Sequence, residues 1–179
     1  MSLTFYTVIT AILLLILGTI NLSKSTIIKK IVLNLPRSNK AAVIMISIGL
    51  FWFLYQHVNN LGEADFGDYK FIISLIACFI AIGSYFFIND FLSVRAICIL
   101  LLFFSREVLD AAFLQEPQSR LFLVSVIYLI IIASLYFGAW PFRMRDFLSW
   151  LYSNKKRPQF FGYSFLIYAI LLLAVAFTY

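Results

Sequence analysis

Six apolar runs, each about 20 residues long, cover most of this chain: residues 3–22, 41–58, 71–88, 96–114, 121–140 and 161–178. A helix of that length rises about 30 Å, the thickness of the hydrocarbon core of a bilayer. The gaps between the runs are too short to hold a soluble domain. The composition agrees: 63% of residues are hydrophobic, 18% aromatic and only 12% charged, with a mean hydropathy of +0.97. Soluble domains are nearer half apolar and a quarter charged. The fold class expected is therefore all-α: a polytopic helical membrane protein, a single transmembrane domain over 1–179.

Run 96–114 (AICILLLFFSREVLDAAFL) is the exception, because it carries Arg106, Glu107 and Asp110. At mid-depth each such charge costs roughly 2.5–3.5 kcal/mol, an upper bound near 9 for the three. The run's Leu, Ile, Val and Phe residues return about 0.3–0.6 kcal/mol each, roughly 5 in total. On these bounds the segment inserts only among neighbours that pair and shield its charges, with Arg106 near mid-depth. Arg106 and Asp110 are spaced to share a helix face. Glu107, turned about 100° away, must find Lys70, Arg120 or a water-filled cavity. The cluster has two readings, a packing ion pair or part of an ion or proton pathway.

The positive-inside rule orients the six spans. The first connection holds Lys24, Lys29, Lys30, Arg37 and Lys40, the third Arg95, and the fifth Arg143, Arg145, Lys155, Lys156 and Arg157. The second and fourth hold only Lys70 and Arg120. The odd connections are therefore cytoplasmic, with both termini outside (N-out/C-out). Arg95 stands just before the fourth span, where it can snorkel to the near interface. The third span ends at the Asn89-Asp90 break, and Pro141 stops the fifth.

Two connections have an apolar stripe. Ile27, Ile28, Ile31, Val32 and Leu35 suit either an interfacial helix ended by Pro36 or a plain loop. Met144, Phe147, Leu148 and Leu151, with Trp140 and Trp150, favour an in-plane amphipathic helix. One or two short cytoplasmic interfacial helices are thus expected. Their basic residues, Lys29, Lys30, Arg37, Arg143, Arg145, Lys155, Lys156 and Arg157, would hold anionic lipid headgroups. The first and last hairpins share a layout of span, Gly (Gly18, Gly138), basic segment, Pro (Pro36, Pro158) and span. The shared layout suits either a parallel duplication or the general likeness of cytoplasmic hairpins obeying the charge rule, and residue identity between the two is negligible.

No catalytic set is legible. His57, the one histidine, sits with Gln56, Asn59 and Asn60 near Glu63, Asp65 and Asp68, and reads as a polar interface residue rather than a metal ligand. With Asp68, Lys70 and Arg120 it forms the expected outer polar group. Cys78 and Cys98 lie in apolar runs without metal or disulfide spacing. Ser84 follows Gly83, but no GxSxG, phosphate loop or HExxH motif occurs. No metal and no cofactor is expected. The aromatic groups Phe51, Trp52 and Phe53, Tyr85, Phe86 and Phe87, and Phe103 and Phe104 suit packing and lipid contact, or a lipid or quinone groove. The net charge of +6 lies between spans, so topology explains it better than nucleic acid does. The first run lacks a preceding Lys or Arg and a small-x-small cleavage site, and so reads as a span rather than a leader.

These features point to a non-enzymatic multi-pass protein of a cell membrane, the bacterial cytoplasmic (inner) membrane. It would act as an embedded subunit or scaffold with protein partners, or as a homo-oligomer. The alternative is a small homo-oligomeric channel or transporter using Arg106, Glu107 and Asp110. A lipid-modifying enzyme would need an acid–base set that is missing.

Overall fold

The computed structural model describes residues 3–62, 66–87 and 90–178. Glu63, Asp65, Ile88 and Asn89, which figure in the expected acidic loop and third-span end, lie outside them. Within the described residues the chain is all helical, with eight α-helices. They are α1 (Leu3–Leu22), α2 (Thr26–Asn34), α3 (Asn39–Trp52), α4 (Lys70–Phe87), α5 (Leu92–Ala112), α6 (Arg120–Ala139), α7 (Pro141–Ser153) and α8 (Lys156–Ala176).

Five helices are long and apolar enough to cross a membrane: α1, α3 with its continuation to Val58, α4 with its leading turn from Gly67, α6 and α8. They match five of the six expected runs. The fifth connection folds as a separate helix, α7, starting at Pro141, where a missing N–H costs nothing. The first connection resolves its two alternatives in favour of helix, since α2 forms and Pro36 ends it through a 3-10 turn. Helix α8 starts at Lys156 rather than 161, which sets Pro158 in the first turn, where proline is tolerated.

Helix α5 starts four residues earlier than the expected run and ends two residues earlier, at Ala112. Two expectations change as a result. Arg95 lies inside the first turns of the helix rather than before it. Arg106 is six residues from the C-terminal end, about 9 Å, rather than near the middle. Every transmembrane-length stretch of α5 contains Arg95, Arg106 and Glu107, which separates it from the five apolar helices.

Despite its charges, α5 is the central helix. It buries Leu92, Ser93, Val94, Ala96, Cys98, Phe104, Ser105, Val108 and Ala112, more residues than any other helix. It packs along α3 on one side and α6 on the other, and touches α1 and α7. The main core lies where α1, α5, α6 and α8 meet, around Leu14, Val108, Leu123, Ile127 and Leu172. Thr7 and Thr10 are buried there because each hydroxyl donates to the carbonyl one turn back, Leu3 at 2.9 Å and Tyr6 at 2.8 Å.

The antiparallel pair α1 and α8 packs most extensively, around two glycines. A Cβ at Gly18 would stand 2.8 Å from Leu166 Cδ2 and 3.1 Å from the Gly162 carbonyl oxygen. One at Gly162 would stand 2.8 Å from Leu22 Cγ. Only glycine at both positions allows this approach, the way small residues bring membrane helices together. Helix α4 is the opposite case. It packs chiefly against α3 and that helix's continuation, and none of its residues is fully buried.

Candidate functional site

Both basic connections and the start of α5 meet at one end of the bundle. Ser93 Oγ donates to the carbonyls of Leu35 (2.7 Å) and Pro36 (2.9 Å), tying α5 to the first connection. Lys29 Nζ donates to the Tyr152 carbonyl at 3.0 Å, joining α2 to α7. The Tyr152 hydroxyl donates to Asn21 Oδ1 at 3.3 Å, and burial pushes this phenol above its usual range. Arg37 and Arg145 both lie over the Phe91 ring, 5.6 and 5.8 Å from its centroid. Phe91 has φ 57°, a left-handed backbone unusual for so large a side chain. The two guanidinium contacts hold the turn that feeds α5.

The remaining basic candidates are also placed here. Arg145 pairs with Asp146 at 2.7 Å. Arg143 lies over Phe142, and Lys30, Lys155 and Lys156 are exposed. Arg157 Nη1 donates to the Trp150 carbonyl (2.9 Å) and Ser153 Oγ (2.8 Å), and its guanidinium lies 4.4 Å from the Trp150 centroid. It thereby satisfies a free carbonyl near the end of α7. Every Lys and Arg of the chain except Lys70, Arg106 and Arg120 belongs to this end.

The opposite end holds the acid-bearing cluster. After Trp52, α3 continues to Val58 as a π-helix, a wider turn that commonly marks functional sites. It sets Gln56 and His57 against α5. Gln56 Nε2 donates to Glu107 Oε2 at 3.2 Å, and the Tyr6 phenol from α1 lies near the same carboxylate. Glu107 thus meets α1 and α3 rather than Lys70 or Arg120, the partners expected for it. Lys70 instead donates to the Asn59 carbonyl at 3.0 Å. Arg120 has Nη1 buried without a hydrogen-bond partner among the described residues.

Arg106 and Asp110 do pair, with Nε and Oδ2 3.7 Å apart, but on the outer face of α5, 62% and 71% exposed. Arg106 Nη1 is 3.4 Å from both ring nitrogens of His57, so the guanidinium lies across the imidazole rather than pointing at one nitrogen. The imidazole is boxed by Phe53 and Phe103, with centroids 5.8 and 5.4 Å away. His57 therefore belongs to the α3–α5 contact. Asp68 is exposed in the turn before α4. Gln56 and Tyr6 were not among the expected site residues, and only their polarity within apolar runs marks them. Among the described residues no group of three His, Cys, Asp or Glu could hold a metal ion.

Between α3, α4 and α5 lies a lateral cleft of about 350 Å³. Its walls include Gly49, Phe53, Ala81 and Phe103, and Arg95 is its one charged residue. Ile80 and Ile99 on its rim are exposed, so it opens sideways. A second apolar gap of about 290 Å³ separates α3 from α4 on another face. No protein family, no curated protein and no solved structure matches the chain.

Proposed function

We propose that the protein is a non-enzymatic six-span membrane subunit or scaffold that presents α4 to a protein partner or to a second copy of itself. The observation that carries this reading is α4. A membrane helix is held to its neighbours by packing, because lipid is as apolar as leucine. Helix α4 has no fully buried residue, and Phe71, Leu75, Phe79, Ile82 and Phe86 form an exposed stripe down one side of it. Packing for that stripe has to come from outside the chain.

The sixth crossing is α5. It runs between two apolar spans, bonded at one end to the first connection and at the other to the end of α3. A helix packed lengthwise this way crosses with its neighbours. Arg106 and Asp110 then approach the headgroups of the far leaflet, and the basic end faces the cytoplasm. The channel reading has less support: the centre of the bundle is filled by Val108, Leu123, Ile127 and Leu172, and Arg106 and Asp110 face outward.

Photo-crosslinking in intact membranes tests this reading. A photoreactive residue at Phe79 or Phe71 should give a discrete larger product, and one at Ile16 or Ile167 on the exposed sides of α1 and α8 should not. A lone chain at every α4 position would overturn it.

A further inference from the structure

The lateral cleft has a chemistry that the packing of this chain does not use. Its walls are almost wholly apolar, and Arg95 stands near the end where α5 begins. Arg95 has no hydrogen-bonding or ion-pairing side chain among the described residues; the ion pairs found there are Arg106–Asp110 and Arg145–Asp146. Arg37 and Arg145 lie on Phe91, one turn before Arg95, and add positive charge at the same mouth. Two acids are nearby. Asp146 is taken by Arg145, and Asp90 is exposed.

The dimensions suit one leaflet. Along α5 the lining runs from Leu92 to Phe103, a rise of about 16 Å, close to half of a hydrocarbon core about 30 Å thick. Small side chains (Gly49, Ala77, Ala81, Ala96) keep the floor low enough for a chain to lie in it. A hydrocarbon chain with an anion at one end matches both the apolar walls and the charge at the mouth.

We propose that the α3–α4–α5 cleft binds one acyl chain of an anionic membrane phospholipid, its phosphate held by Arg95. The inference rests on the membrane setting but not on the partner proposed for α4. The cleft is walled by Ala77, Ala81 and Ser84, whereas the partner stripe runs through Phe71, Leu75 and Phe79.

Native mass spectrometry of the intact chain, from micelles holding equal phosphatidylglycerol and phosphatidylcholine, tests the proposal. The wild type should retain one lipid and favour phosphatidylglycerol about tenfold, because the choline ammonium of phosphatidylcholine offsets the charge its phosphate offers Arg95. Arg95→Gln should still retain one lipid but lose the preference. Ala81→Trp should fill the cleft and lose the lipid of either headgroup. Lys24→Gln, exposed at the basic end but outside the cleft, should behave as wild type.

A preference that survives Arg95→Gln would overturn the proposal, as would a lipid that survives Ala81→Trp. So would a second copy of the chain in place of the lipid, or displacement of the lipid by inorganic phosphate. Should Ala81→Trp fail to elute as a single species, phosphatidylglycerol with a photoreactive group on its acyl chain decides on the wild type. Labelling within 45–53, 77–84 and 95–103 supports the site, and labelling only elsewhere overturns it. Loss of the lipid with the Phe79 crosslink retained would refute this inference and leave the partner reading standing.

Discussion

Arg106, Glu107 and Asp110 follow one another closely in sequence but do different work. Arg106 and Asp110 form a mostly exposed pair, and such pairs contribute little. Glu107 is partly buried and accepts from Gln56 of α3, with the Tyr6 phenol of α1 close by. Removing one hydrogen bond to a partly buried charge costs about 1.5–3 kcal/mol. Gln56→Leu should therefore lower the midpoint of thermal unfolding in detergent by about 3–10 °C, whereas Asp110→Asn should shift it by less than about 4 °C. Equal shifts would contradict the division of roles. At the other end Tyr152 provides a pH test. Its folded-state pKa is raised, so its contribution is complete below the ordinary phenol value of about 10 and fades as pH climbs through the higher folded value. Alkaline loss of stability should be shallower in Tyr152→Phe, and an unchanged profile would count against its burial.

Among the elements, the α1–α8 pair depends on two glycines, and α4 is held within the chain chiefly by α3. Gly162→Val places branched carbon where Leu22 already stands and should destabilise by about 1–3 kcal/mol. Gly49→Ala meets Leu100 no closer than 3.6 Å and should fold as wild type. Comparing thermal midpoints of the two variants checks the contrast. The apolar helices were legible because a bilayer demands a fixed length of apolar sequence, and five helices long and apolar enough to cross fall where the runs predict. Helix α7 was legible from its stripe and Pro141. The limits of α5 were not, because hydrophobicity placed the run at 96 while packing of Leu92, Ser93 and Val94 extended the helix backward. The π-helical end of α3 has no sequence pattern of its own, so nothing in FLYQHV announced that Gln56 would reach Glu107. Gly18 stood out only as part of a hairpin layout. Its true partner, Gly162, is set by how α1 and α8 cross.

Across the whole molecule, charge divides the two ends of the bundle. One end gathers nearly all the basic residues and ties α2, α5 and α7 together through Ser93, Lys29 and Phe91. The other holds Glu107, Asp110 and Asp68. Such a division orients a helical bundle in a membrane only if each helix crosses it, so the reading turns on α5. A chain with native Cys78 and Cys98 replaced by Ala, carrying one new cysteine at Asp90 or at Gln115, reports the two ends of that helix separately. Labelling in sealed membranes with a maleimide that cannot cross lipid should reach Gln115→Cys from the outside and Asp90→Cys only once the membrane is opened. Equal labelling of both positions from one side would show that α5 does not cross, and would contradict the six-span arrangement.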